Sequence, residues 1–144
     1  MIQYRIPLTG LKFSTNKIYA GIHWSKRREI KDSILDYAGA FCRPVKKFGP
    51  YPIQICYRFF FTSKPLDTTN CTFLVKMFED ALVSLKILED DSPQYVARSI
   101  IEVVMVPKRK GKKTSYDLGE KEDKKSEDYL EIIATSCNYL SFDT

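Results

Sequence analysis

The stretch "IQICYRFFFTSKPLDTTNCTFLVKMFEDALVSLKILEDDSPQYVARSIIEVVMVP", residues 53–107, decides the fold. At its start Ile53, Ile55, Tyr57, Phe59 and Phe61 share one face, with Gln54, Cys56, Arg58, Phe60 and Thr62 on the other. That alternation is the period of a strand. From about Thr72 the apolar residues Leu74, Met77, Phe78, Ala81, Leu82 and Leu85 recur at helical spacing, and Asn70, Cys71 and Thr72 mark the helix start, where Asn and Thr are good caps. "VARSIIEVVMVP" then has the Val and Ile content of a second strand. The unit reads as strand, helix, strand.

Working outward, "QYRIPL" predicts a short first strand ending at Pro7, followed by a loop punctuated by Gly10 and Gly21. Residues 23–41 predict an amphipathic helix with Trp24, Ile30, Ile34, Leu35, Tyr37, Ala38 and Phe41 on its apolar side. Trp24 reads there as a core anchor, and Lys26, Arg27, Arg28 and Lys31 form a basic face. Pro44 ends that helix. "YLEIIATS" predicts a last strand. Between the last two strands, residues 108–113 hold five basic residues, and residues 114–128 carry a net charge of −3. Without hydrophobic periodicity, residues 108–128 read as a long, charged, mobile hairpin loop joining consecutive antiparallel strands. The order is β-α-β-α-β-β: one α/β domain (α+β-like) over residues 1–144, with a small mixed sheet and two main helices.

Composition bounds the chemistry. The chain has 144 residues, 44% hydrophobic and 28% charged, as expected of one soluble domain. No apolar run reaches the ~18 residues of a membrane span, and the N-terminus lacks the pattern of a signal peptide. The expectation is a cytoplasmic protein with no membrane partner. Four widely spaced cysteines without a CxxC pair argue against structural zinc and for free thiols. His23 is the only histidine. Metal chemistry would therefore use oxygen ligands, which points to magnesium or manganese. The net charge of +5 and pI near 9.0 favour a phosphate-bearing partner.

The acids of the quoted stretch fall into two groups. Glu79 and Asp80 lie within the helix, and Lys76 precedes Asp80 by four positions, so those two share a face. The plain reading of Lys76, Glu79 and Asp80 is a solvated helical face. Asp67, Asp90 and Asp91 instead sit at chain bends. Turn and cap chemistry is one explanation for them, and a divalent cation held beside a phosphate is the other. A helix of this length spans roughly 22 Å, so Asp67 and Asp91 meet only in one of two ways. Either the segment after the helix folds back along it, or a two-fold dimer shares the site between subunits. The turn residues of "LEDDSPQ" favour fold-back.

These residues resemble the RusA-type Holliday junction resolvases, many of them phage-encoded. "LDTTN", a following Lys, "EDAL" and "DDSPQYV" look like that family's Asp-x-Asp-Asn motif, helical lysine, Asp-Ala-Leu segment and late Asp-Asp pair. Asp80 and Asp91 stand eleven positions apart, as in the family pattern. "NKIYAGIHWSKR" is a weaker match. The resemblance implies a homodimeric endonuclease that binds four-way DNA and nicks two strands symmetrically with Mg2+ or Mn2+. It implies Asp67, Lys76 and Asp91 as catalytic residues, Asp67, Asp90, Asp91 and the Thr69 hydroxyl as metal ligands, and Asn70 and Asp80 as motif positions. It also implies work in the cytoplasm of a bacterial host. Two departures stand out: Thr69 replaces the second motif acid, and the interval from Asn70 to Lys76 is longer by about one helical turn.

Phosphate contacts would come from Lys17, Lys26, Arg27 and Arg28 near the first helix start, with Lys46 and Lys47 in the loop after it. Asn16, Tyr19, His23 and Trp24 lie in the same stretch, where an aromatic could stack on an unpaired base, the alternative to the core reading of Trp24. Two other readings stay open. One is a junction-binding protein on the same fold that no longer cleaves, marked by Thr69. The other is a partner-binding phage protein whose acids are only caps.

Overall fold

The computed structural model describes residues 1–8, 11, 21, 24–62, 64–107 and 128–137. Its elements are β1 (Ile2–Pro7), α1 (Trp24–Phe41), β2 (Ile53–Phe61), a 3-10 turn (Thr68–Cys71), α2 (Thr72–Ser84), β3 (Val96–Met105) and β4 (Tyr129–Ser136). This is the expected order, a single small domain of mixed sheet and two helices.

The sheet order is β1-β4-β2-β3. β2 and β3 pair in parallel, while β4 runs antiparallel to both of its neighbours, β1 and β2. β1, β2 and β3 therefore point one way. Both β-α-β crossovers step across the sheet in the same direction, so crossovers of one hand put both helices on one face. The helices run parallel to each other. Arg28 and Lys31 near the start of α1 share a groove with Phe73 and Met77 of α2, while at the far end a Cβ on Gly39 would lie 3.7 Å from Leu85.

The alternation of β2 sets the core. Ile53, Ile55, Tyr57, Phe59 and Phe61 are all buried beneath Ile30, Ile34 and Ala38 of α1 and Leu74, Phe78 and Leu82 of α2. Each such large side chain contributes roughly 1.5–3 kcal/mol on burial. Phe73 and Val75 are buried as well, because α2 is covered by more than the sheet: Phe73 turns toward α1. All four cysteines are buried free thiols, and burial pushes the Cys42 thiol up to about 11. Among the described residues no helix is long and apolar enough to cross a membrane.

Two expectations need correction. β3 and β4 have opposite sense, but they do not form a hairpin, because β2 lies between them. A connection of more than twenty residues imposes no adjacency, and β4, with Leu130, Ile132 and Ala134 buried, takes a central place. Residues 108–127 of that connection lie outside the described residues. Trp24 is not a core anchor, being 66% exposed. The buried stripe of α1 is Ile30, Ile34 and Ala38. Six residues before Ile30, at ~100° per residue, a side chain falls well off that stripe.

Candidate active site

Because α2 follows β2, its start stands at the C-terminal edge of the three parallel strands, beside the start of α1. Asp67 is the N-cap residue of the 3-10 turn, with extended backbone and no side-chain capping hydrogen bond. Its carbonyl accepts the Asn70 N–H at 2.9 Å. Thr69 is exposed, and its carbonyl accepts the Thr72 hydroxyl at 2.8 Å. The turn is thus closed by the Asn70 N–H and the Thr72 hydroxyl, leaving the Asp67 carboxylate without a capping role.

The other end of α2 is built differently. Leu85 caps the helix, and Lys86 adopts φ 61°, the left-handed conformation that reverses a chain. The N–H groups of Ile87 and Leu88 both donate to the Leu82 carbonyl, and both side chains are buried. Glu89 is anchored by its N–H donating to the Tyr51 hydroxyl at 2.9 Å. Ser92 accepts from the N–H groups of Tyr95 and Val96, turning the chain into β3.

This fold-back carries Asp91 to the middle of α2. The Lys76 ammonium donates to Asp91 at 3.2 Å and pairs with Asp80 at 3.1 Å, so one cation holds two carboxylates together. Those hydrogen bonds, that of Asp80 first, raise the Lys76 pKa, keeping it protonated near neutral pH. The fold-back expected from "LEDDSPQ" is therefore what the chain does, and the pairing of Lys76 with Asp80 across one turn is present.

Glu79 departs from the solvated face expected of it. The hydroxyl of fully buried Tyr57 donates to Glu79 at 2.7 Å. Burial raises the Glu79 pKa, and the nearby Asp91 charge adds to that, partly offset by the Tyr57 bond. Sequence reasoning missed this contact, yet a signal existed: a tyrosine on the inward face of β2 needs a partner for its hydroxyl. A carboxylate on the covering helix can supply one.

Asp90 is committed to the turn. Its carboxylate accepts from the Asp91 backbone and from Ser92, which lowers its pKa. That is the turn role, and it also brings the Asp90 carboxylate against the Asp91 side chain. Among the described residues no three His, Cys, Asp or Glu side chains gather closely enough to hold a metal ion. Asp67, Asp90 and Asp91 thus do not converge as a preformed set. Asp80 and Asp91 do come together, and two carboxylates with hard oxygens are a donor set suited to magnesium or manganese, whose shells are completed by water and phosphate.

The basic residues separate into two places. Arg27, Arg28 and Lys31 line an open groove of about 500 Å³ with Asp32, Phe73 and Met77, next to Lys76 along α2. Lys26 makes an exposed pair with Glu29 at 3.4 Å. Lys46 and Lys47 lie elsewhere: the Lys46 N–H donates to the Tyr4 hydroxyl, and the adjacent Phe48 N–H to the Ile87 carbonyl. They flank the opposite end of the helices, so the two basic groups do not form one continuous patch near Lys76. Asn16, Lys17, Tyr19 and His23 lie outside the described residues. No family model matches this chain, and no curated protein matches it.

Proposed function

We propose that this protein is a divalent-metal-dependent endodeoxyribonuclease that binds four-way DNA as a homodimer and nicks two opposed strands. The observation that carries the reading is Lys76 held between Asp80 and Asp91. Lys76 and Asp80 share one helical face, Asp91 lies eleven positions beyond Asp80, and a buried chain reversal brings it back to them here. The basic groove of Arg27, Arg28 and Lys31 beside them suits a phosphate backbone.

In this reading Asp91 and Asp80 supply carboxylate oxygens to the ion. Asp67 and the Thr69 hydroxyl approach from the exposed edge when DNA is bound. Magnesium or manganese, when bound, supplies Lewis-acid polarisation of the scissile phosphate and lowers the pKa of water. With Asp80 and Asp91 holding the ion, Lys76, protonated, would offset phosphate charge beside them. Asp90 shapes the turn that aims Asp91. The enzyme would act in the cytoplasm of a bacterial host.

One observation favours a second reading, a junction-binding protein that does not cleave. Thr69, where the family pattern has its second acid, brings no charge. A labelled four-way junction incubated with magnesium, manganese or chelator decides between them. Paired nicks that require metal are expected, and Asp91→Asn should reduce nicking about a hundredfold or more while junction binding persists. Tight binding without nicks would establish the second reading. No preference for branched DNA would overturn both.

A further inference from the structure

We propose that the sheet face opposite the helices is where two copies of this chain pair, about a two-fold axis parallel to the strands. The register aligns Arg5 with Glu131, Glu131 with Arg58, and Arg58 with Glu102, so one row crosses all four strands with alternating charge. Arg58 bonds Glu102 at 2.7 Å and approaches Glu131 at 3.8 Å, while Arg5 lies over the Tyr129 ring at 3.6 Å. On one side of this row the register sets Tyr129, Phe60 and Val104 in line, with Phe60 and Tyr129 stacked at 4.4 Å. On its other side stand Ile133, Cys56 and Ile100.

None of these six joins the core that the helices cover. A parallel pair such as β2 and β3 is ordinarily covered on both faces, and the apolar rows give the outer face a reason to be. The charged row has two cations and two anions, so it offers nothing to a polyanion. The partner it fits is a protein with the same alternation.

Symmetry then selects that partner. A two-fold axis running along the strands between β4 and β2 maps β1 onto the partner's β3 and β4 onto the partner's β2. Every cation of the row then faces an anion, and each apolar row faces its own copy. An in-plane axis across the strands would instead set like charges opposite each other. Two sheets packed this way keep their strands aligned to within about 30°, the ordinary angle of face-to-face sheets. The surface is argued from the sheet alone and goes beyond the nuclease reading, whose paired nicks need two copies but specify no face.

The test exploits the two edge strands. Arg5 on β1 and Glu102 on β3 are never neighbours within one chain, yet they meet across the proposed axis. Sedimentation should show a dimer, and Arg5→Glu or Glu102→Arg alone should each weaken it by about tenfold or more. An equimolar mixture of the two variants should restore it, because each mutated charge then meets its opposite. Monomeric wild type at about 100 μM, single variants as tightly dimeric as wild type, or a mixture no better than its components would each overturn the proposal. Should either variant fail to fold, Val104→Lys on the half-exposed apolar row must also yield monomer, and an unchanged dimer would overturn it. Nicking is read separately on the junction, so loss of one reading leaves the other standing.

Discussion

The two ends of α2 carry acids in opposite states of commitment. At its start Asp67 caps a 3-10 turn in position only, with no side-chain hydrogen bond to the backbone. At its end the chain reverses at Lys86, buries Ile87 and Leu88, and delivers Asp91 to Lys76. The late acid is held by a packed, hydrogen-bonded frame, while the early acid stands on an exposed turn. A metal site assembled from both would therefore be half prepared. The rigid half would come from core packing, and the other half would close on ligand.

The largest effect should come from breaking the frame. Leu88 is 1% exposed, and its N–H reaches back to Leu82. Leu88→Ala should cost about 2–5 kcal/mol, read from urea unfolding. A loss well below 1 kcal/mol would mean that the reversal is held by its backbone bonds and that burial contributes little. Packing of the early turn should be unaffected, because the two ends lie a helix length apart.

This contrast also explains what could be read without coordinates. The β2 alternation and the α2 stripe were legible because a buried face imposes a period. All five inward residues of β2 are buried, as are Leu74, Phe78, Ala81 and Leu82 of α2, while Phe73 and Val75 are buried off the stripe. The strand order was not legible: a long, polar connection carries no information about which strand its end will join. At the candidate site, Lys76 and Asp80 could be paired from helical spacing. The approach of Asp91 could be favoured from turn residues, but the groups it would meet could not be named. The Tyr57 to Glu79 bond was hidden because it crosses two elements, and no local pattern in α2 marks a half-buried acid.

That bond gives the second prediction. Glu79→Ala would leave the buried Tyr57 hydroxyl without its acceptor, at a cost of about 1–3 kcal/mol. Glu79→Gln keeps an acceptor oxygen and should cost much less. The pH dependence has a definite sign. The Glu79 pKa is raised from its ordinary 4.5 in the folded chain, so the native state favours the protonated carboxyl. Its contribution is greatest below the unfolded value and is lost as pH rises through the raised folded value. Urea midpoints from about pH 4 to about pH 7 should therefore fall less steeply in Glu79→Gln than in wild type. Parallel profiles would show that Glu79 does not titrate in this window.

The smallest expected effect is the most informative for the early end. A carboxylate that truly caps a helix costs about 1 kcal/mol when removed. Asp67 makes no such bond, and what remains is its interaction with the helix dipole, which salt screens. Asp67→Ala should thus change stability by less than about 0.5 kcal/mol in moderate salt. In the proposed reading the same substitution should suppress metal-dependent nicking of a junction. A neutral effect on folding joined to a large effect on nicking would show that the turn holds its acid for chemistry. A loss of 1 kcal/mol or more, with nicking scaled only to the folded fraction, would return Asp67 to the class of helix caps.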